Sequence, residues 1–380
     1  MRKDKIISFV FVGILIAGFL WNVLTPVKPY SERENRYLQG WPSVSAERVL
    51  SGQFGKDFET FITDQFPMRD GWVALKTMAG LATLRPDNGR VYFGKDMRLF
   101  EVPAAADAAL EETNCRAVAD FLERVMQADP SLNASVMLAP TATTVLSNAL
   151  PLCAPVADEA ALIDRLRRSL GSRVVFCDPT PVMLYALERD QLYYRTDHHW
   201  TTQGAFVAYQ SLMKAQGLTP LDKKEFTVET VADDFYGTLY SKANLSLISP
   251  DTIQAYQSKT ANPCTVTWDG GKTVRDSLYD PASLEGRDKY AYFLGGNHPL
   301  TEIETSVRNG RHLLVIKDSY AHALIPFLTA HYETIDVVDL RYFKEALASW
   351  MDGREITDVL VLYNASTFAA DRQLAPALAR

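Results

Sequence analysis

The sequence predicts an α/β fold with a parallel sheet, a β-rich insertion and one membrane-spanning helix ahead of it. Three observations predict this. Short apolar runs alternate with segments of helical period from residue 104 onward. Residues 225–305 break that alternation and are rich in Thr, Tyr, Asp and Gly. Residues 6–24 are almost wholly apolar and follow Arg2, Lys3 and Lys5. Strand and helix in alternation mean parallel strands joined by crossover helices.

The N-terminal run is long enough to cross a bilayer, since a helix rises ~1.5 Å per residue and the hydrocarbon core is ~30 Å thick. Basic residues ahead of it keep the N-terminus cytoplasmic. It ends in Trp21-Asn22-Val23-Leu24-Thr25-Pro26, without the small-x-small pattern of a cleavage site. The expectation is a single-pass cell-membrane protein: cytoplasmic tip and anchor over 1–25, linker and helical lead-in over 26–90, an extracytoplasmic α/β domain over 91–380.

The remaining elements follow in order. Residues 43–83 carry helical spacing, with Phe54, Phe58, Phe61 and Ile62 on one face and a break at 64–67. Residues 91–100 read as a hairpin turning at Lys95-Asp96. Helices are expected at 107–126, 159–170, 181–187, 201–216, 320–330, 343–351 and 371–379. Strands are expected at 134–140, 174–178, 313–316, 335–338 and 359–362.

The chain has 39 Lys and Arg against 46 Asp and Glu, a net charge of -7. A chain this acidic is a poor nucleic-acid binder, because phosphate demands a basic face. Cys115, Cys153, Cys177 and Cys264 make an even count, which an exported chain can pair in three ways. No Cys-x-x-Cys is present, so no structural zinc site is expected.

Two segments concentrate reactive groups. The first is Tyr194-Arg195-Thr196-Asp197-His198-His199-Trp200. In an extended chain, residues two apart share a face, so Asp197 lies beside His199 and His198 points away. A carboxylate on one ring nitrogen leaves the other as a base. The second is Lys317-Asp318-Ser319-Tyr320, where a buried strand ends and a helix begins. Helix N–H groups there can stabilise an oxyanion, and ligands gather at the carboxyl ends of strands in such sheets. A serine at such a turn is more often a helix cap than a nucleophile, and it needs a base. A metal bound by Asp197, His198 and His199 with His298 or His322 is the weaker alternative.

Thr196-Asp197-His198-His199-Trp200 resembles the signature of the DHHW protein family, itself similar to alginate O-acetyltransferase proteins of AlgJ/AlgX type with an SGNH-hydrolase-like domain. The resemblance extends through Glu34-Asn35-Arg36, Trp41-Pro42, Gly52-Gln53-Phe54, residues 64–70, Phe93-Gly94-Lys95-Asp96, Gly295-Gly296-Asn297-His298-Pro299 and Lys317-Asp318-Ser319-Tyr320. It implies a three-layer SGNH-like domain with permuted motif order, the Asp-x-His pair before the serine. It implies Ser319 as nucleophile, His199 as base and Asp197 as its partner. The oxyanion would be held by the Ser319 N–H and the Asn364 amide. Two departures are visible. Lys317 stands where the ordinary Gly-Asp-Ser has its glycine, and Asp339-Leu340-Arg341-Tyr342 stands where the oxyanion glycine belongs. Asn297 is the rival for the Asn role. Tyr194, Arg195, Trp200, Asn297, Tyr320 and Arg341 are the expected substrate-binding residues. The implied activity is acyl transfer to a cell-surface or exported polysaccharide, without metal or soluble cofactor; the alternatives are hydrolysis of such an ester, or a non-catalytic glycan-binding or accessory subunit, which the two departures keep open. The implied partner is a multipass membrane acyltransferase of MBOAT type.

Overall fold

A computed structural model describes residues 2–380 except Glu32, Asn35, Ser246 and Ala261. The Asn35 of the sequence motif, and the side chains of Arg2 and Lys3 ahead of the apolar run, therefore lie outside the described residues. The chain forms two compact units, residues 1–88 with 240–248, and residues 89–239 with 249–380.

The first unit contains the helix Arg2–Leu24. Its segment Lys5–Leu24 has a mean hydropathy of 2.4 and contains no buried residue. Helices Gln53–Asp64 and Arg69–Ala82 follow. Here the early motif residues find a structural use. Arg36 grips Asp64 through two N–H···O bonds of 2.5 and 3.0 Å and Glu34 at 2.7 Å, and Arg69 also pairs with Glu34. These interactions join the chain before the helices to the break between them.

The second unit is built on an eight-stranded sheet. Its order is Thr273–Arg275, Thr265–Trp268, Leu300–Glu304, Thr334–Val338, His312–Lys317, Asp358–Asn364, Asn133–Ala139, Val175–Cys177. The last five strands are mutually parallel, as the alternation predicts. The first three are antiparallel and extend one edge, so the sheet is mixed rather than purely parallel. They are short and carry polar residues on alternate positions, which hides them from a reading based on apolar runs.

Successive residues of each parallel strand enter different cores, as the period of two requires. Met137, Leu313, Val315, Val337 and Leu360 join the cluster that contains Ala205, Tyr209 and Leu212 of helix Thr202–Ala215. Val136, Leu314, Ile316, Val338 and Val361 join the cluster containing helices Ala108–Ala128 and Glu159–Ser169. Three layers result. An antiparallel ribbon, Phe226–Phe235 with Asp251–Ser258, belongs to the same unit. The four cysteines are unpaired.

Candidate active site

Ser319 follows directly on strand His312–Lys317 and Asp318. The expected long helix is instead a 3₁₀ turn, Ser319–Ala323, and a short helix, Ile325–Leu328. Pro326 lacks the N–H that a continuous helix would need. Asp318 anchors the turn. Its carboxylate accepts from the Tyr320 N–H at 2.9 Å and from the Asn364 N–H at 2.9 Å. Among the described residues, no acceptor is paired with the Ser319 N–H.

Asp197 and His199 sit on a loop closed by a bridge between Tyr193 and Trp200. The loop is bent, not extended. The His199 N–H donates to Asp197 Oδ1 at 3.0 Å, a local turn that carries both side chains to one side. This corrects the expectation that His198 points away. Its ring centroid lies 3.9 Å from that of His199.

The structure brings Asp197, His199 and Ser319 into one hydrogen-bonded line. His199 Nδ1 meets Asp197 Oδ1 at 2.5 Å, and His199 Nε2 meets Ser319 Oγ at 2.7 Å. The other carboxylate oxygen accepts from the Thr238 N–H at 2.8 Å and its hydroxyl at 2.6 Å. His198 Nδ1 turns to Thr238 Oγ1 at 2.9 Å. Burial pushes the Asp197 pKa up, but both imidazoles and these hydrogen bonds outweigh it and hold the carboxyl well below its usual range. Burial and His198 push the His199 pKa down to about 4, against the pull of Asp197. The pair therefore rests as carboxylate and neutral imidazole, the tautomer following from the network.

Sequence reasoning missed several supports. Tyr290 lies flat against the His199 ring, centroids 3.8 Å apart. Asp251 accepts from the Arg195 N–H at 2.9 Å, the Thr196 N–H at 2.7 Å and the Thr196 hydroxyl at 2.7 Å, fixing the chain just before Asp197. Gly237 abuts Asp197 so closely that an added Cβ would stand 2.3 Å from its side chain. All three lie in the stretch 225–305, and no local pattern there marks them.

Three of the expected substrate-binding residues are corrected. Tyr194, Trp200 and Tyr320 are at most 2% exposed and belong to the core. Trp200 donates Nε1–H to the Tyr320 carbonyl at 2.9 Å, and the Tyr320 hydroxyl donates to the His198 carbonyl. They build the wall behind the loop. Arg195 is exposed, in a cleft of about 350 Å³ with Asp190, Lys223 and Gln254, which none of Asp197, His199 and Ser319 lines. Asn364 caps helix Ala365–Ala370, its Oδ1 accepting from the Ser366 and Thr367 N–H groups at 3.0 and 3.3 Å, and its Nδ2 points to the Ala139 carbonyl at 3.5 Å. The carboxamide expected at the oxyanion is thus engaged as a helix cap. Asn297 is exposed and accepts from Lys317 at 3.4 Å and Arg341 at 3.2 Å.

The ligand atoms of Asp197, His198 and His199 lie within 4.8 Å of one another, close enough to hold a metal ion. Both ring nitrogens of His199 already have protein partners, so coordination would break one of those bonds. The two distant ligands that the sequence suggested are engaged elsewhere, His322 with Lys317 at 2.7 Å and His298 with the Gly295 carbonyl at 3.2 Å.

Comparison with known proteins agrees with the motifs. Residues 164–338 match the DHHW protein family. A probable alginate O-acetylase AlgJ of Pseudomonas putida is 25% identical over 296 residues, 73% of this chain and 72% of that protein. The corresponding protein of Pseudomonas syringae is 23% identical, over half of its own length. Among solved structures, a DHHW family protein from Eubacterium siraeum is 26% identical, with a TM-score of 0.65 over 77% of this chain and 95% of that one. Bacillus cereus PatB1 shares the fold, with a TM-score of 0.60 over 73% of this chain and 96% of that one, at 22% identity. In sequence and in fold, this chain is similar to the DHHW family and, in sequence, to the AlgJ O-acetylases.

Proposed function

We propose that the protein is a membrane-anchored, extracytoplasmic O-acetyltransferase acting on a cell-surface or exported polysaccharide. The observation that carries this reading is the hydrogen-bonded line from Asp197 through His199 to Ser319. Likeness to probable alginate O-acetylases supports the substrate class.

Ser319 Oγ attacks the acyl carbonyl carbon while His199 Nε2 takes its proton, and the carbonyl electron pair moves onto oxygen. Asp197 stabilises the imidazolium. Collapse of the adduct expels the donor's oxygen, which receives the proton from His199, and leaves acetyl-Ser319. A glycan hydroxyl, deprotonated by His199, then attacks the acetyl carbonyl carbon; the Ser319 Oγ–acetyl bond breaks and Oγ takes the proton back from His199. Water in its place would give an esterase. We read the domain as SGNH-hydrolase-like with permuted motif order, and the helix Arg2–Leu24 as its anchor. The acyl group reaches the outer face through a multipass membrane acyltransferase.

The test uses the full chain in detergent, with p-nitrophenyl acetate as donor and an exported polysaccharide as acceptor. Ser319→Ala should lower kcat on the order of 10⁶-fold with melting unchanged. Near-full activity in that variant overturns the covalent mechanism. Acetyl recovered on the glycan identifies transfer, and acetate alone identifies hydrolysis.

A further inference from the structure

The two carboxyl-end loops beside Ser319 differ in what they offer. The parallel register pairs Ile316 with Val338, so the loops carrying Ser319 and Arg341 leave neighbouring strands at the same edge. On the other side it pairs Lys317 with Leu362, and the Asn364 N–H donates to Asp318, the residue before Ser319, at 2.9 Å. Adjacent strands are ~4.8 Å apart, so the loops that carry Arg341 and Asn364 leave the sheet on either side of the Ser319 loop. The Asn364 carboxamide is committed to its helix cap.

Arg341 is held from behind. Its Nε donates to Asp339 Oδ1 at 2.8 Å and its Nη2 to Asp339 Oδ2 at 2.6 Å. Nη2 also donates to Asn297 Oδ1 at 3.2 Å. Asp339 is wholly buried and is itself paired with Lys317 Nζ at 3.0 Å. Lys317 is buried too, and a third contact fixes it against His322 at 2.7 Å. Two of the three guanidinium nitrogens are thus occupied. Nη1 has no partner among the described residues, and the side chain is 29% exposed. One cation is buried to position another at the site's edge.

We propose that Arg341 is a catalytic residue of this site: its Nη1 N–H groups join the Ser319 N–H in holding the acyl oxyanion, replacing the glycine N–H that this chain lacks. This rests on Ser319 being the nucleophile. When Ser319 Oγ bonds to the carbonyl carbon, the π electron pair becomes a negative charge on oxygen, and the guanidinium meets that charge without transferring a proton. On collapse the pair returns to the carbonyl and the donor's oxygen leaves. A preorganised donor stabilises that charge more than the neutral ester, so it acts on kcat rather than on binding. The two departures in the motif, Lys317 and the glycine-free loop, become one device. Arg341 is also among the charges that lower the His199 pKa, which places it within electrostatic reach of the base.

The experiment compares wild type, Ser319→Ala, Arg341→Gln, Arg341→Lys and Arg341→Ala, as full chains in detergent, on p-nitrophenyl acetate. Arg341→Gln should lower kcat ~10²–10³-fold, with KM within threefold of wild type. Affinity for phenylboronic acid, a tetrahedral mimic, should fall in parallel. Arg341→Lys should recover part of the loss, and millimolar guanidinium should restore part of the Arg341→Ala rate. A purely structural role would move KM and melting together and allow no rescue, which overturns the assignment. So does a kcat for Arg341→Gln within threefold of wild type. If wild type shows no turnover beyond Ser319→Ala, the nucleophile reading falls first and Arg341 with it, so the two failures are separate.

Discussion

The Tyr290 ring stacks on the His199 imidazole with centroids 3.8 Å apart and planes 10° from parallel. His199 needs one nitrogen on Asp197 and the other on Ser319, and a ring free to rotate would satisfy neither. A flat aromatic face permits only motion within the plane. Tyr290 is buried, and its hydroxyl reaches the Ser319 carbonyl only at 3.4 Å, a weak bond. Tyr290→Phe should therefore keep kcat within threefold. Tyr290→Ala should lower it about 10²-fold, the cost of a misplaced catalytic group. Equal rates for Tyr290→Ala and wild type on p-nitrophenyl acetate would remove this role.

The pH dependence follows from the depressed His199 pKa. A base that titrates at about 4 remains neutral and competent through mildly acidic solution. At pH 5.5 some 97% is unprotonated, against about 10% for an ordinary imidazole near 6.5. Initial rates at pH 5.5 should thus stay within twofold of those at pH 7.5. Stability moves the other way. His199 and His331 have folded pKa values of about 4, both chiefly through burial, and burial likewise holds His322 well below its ordinary value. The unfolded chain takes up protons at these sites below pH 6.5, and the folded chain does not. The contribution of these three groups is then fully present above about 6.5 and declines as pH falls towards 4, whereas Asp336, raised to about 6 by burial, acts in the opposite sense. The fall in denaturant midpoint from pH 7.5 to 5 should be smaller, or a rise larger, in His331→Phe than in wild type, and an equal change in the two would contradict it.

Gly237 offers a sterically defined test. A Cβ there would stand 2.3 Å from Asp197 Cβ and Oδ2. Neither atom is the free end of a flexible chain, because Thr238 and His199 fix the carboxylate. Gly237→Ala must displace Asp197, and with it the His199 ring. We expect kcat lowered by at least tenfold with a modest fall in melting temperature. Unchanged kinetics would mean that the loop relaxes without cost.

The parallel strands and the helices at 108–128, 159–169 and 202–215 are legible in the sequence because each buries a continuous face. The run Leu313-Leu314-Val315-Ile316 feeds both cores and reads as a strand in any context. The reactive pair is legible for a different reason, since Asp-x-His beside a second histidine is rare chemistry. The antiparallel edge is not, because Thr265, Thr267, Glu302 and Glu304 alternate with apolar residues over too few positions to stand out. Burial of the aromatics was misread. Tyr194, Trp200 and Tyr320 look like ligand-facing groups, but each carries one polar atom on a large apolar body, which suits a core wall equally well. Nor does any local pattern reveal that Tyr290, 91 residues beyond His199, lies on its ring.

The apolar helix carries its own prediction. Lys5–Leu24 contains no buried residue, and so large an apolar surface costs free energy in water and none in a bilayer. Full-length protein should sediment with membranes and resist carbonate extraction. A chain lacking residues 2–24 should not. A reporter active only in the cytoplasm, fused after Arg380, should be silent, and its activity would reverse the proposed topology.

Asp251 tests whether the approach to the active-site loop is a load on stability as well as on rate. Its carboxylate collects the N–H groups of Arg195 and Thr196 and the Thr196 hydroxyl, and is 3% exposed. Asp251→Ala leaves the Arg195 and Thr196 N–H groups without that acceptor, while the Thr196 hydroxyl keeps the Phe235 carbonyl at 3.3 Å. Each orphaned buried donor costs about 1–3 kcal/mol, so a total loss of several kcal/mol is expected, read as a lower denaturant midpoint. Asp251→Asn keeps the shape but has one carbonyl oxygen for three donors, and should lie between wild type and the alanine variant. Rate should follow geometry. Arg195 and Thr196 run directly into Asp197, so slack there loosens the Asp197–His199 bond and lowers kcat while KM for a small ester stays put. If Asp251→Ala lowers stability but leaves kcat intact, the loop is held by Thr238 and Gly237 alone, and Asp251 serves the fold without serving the chemistry.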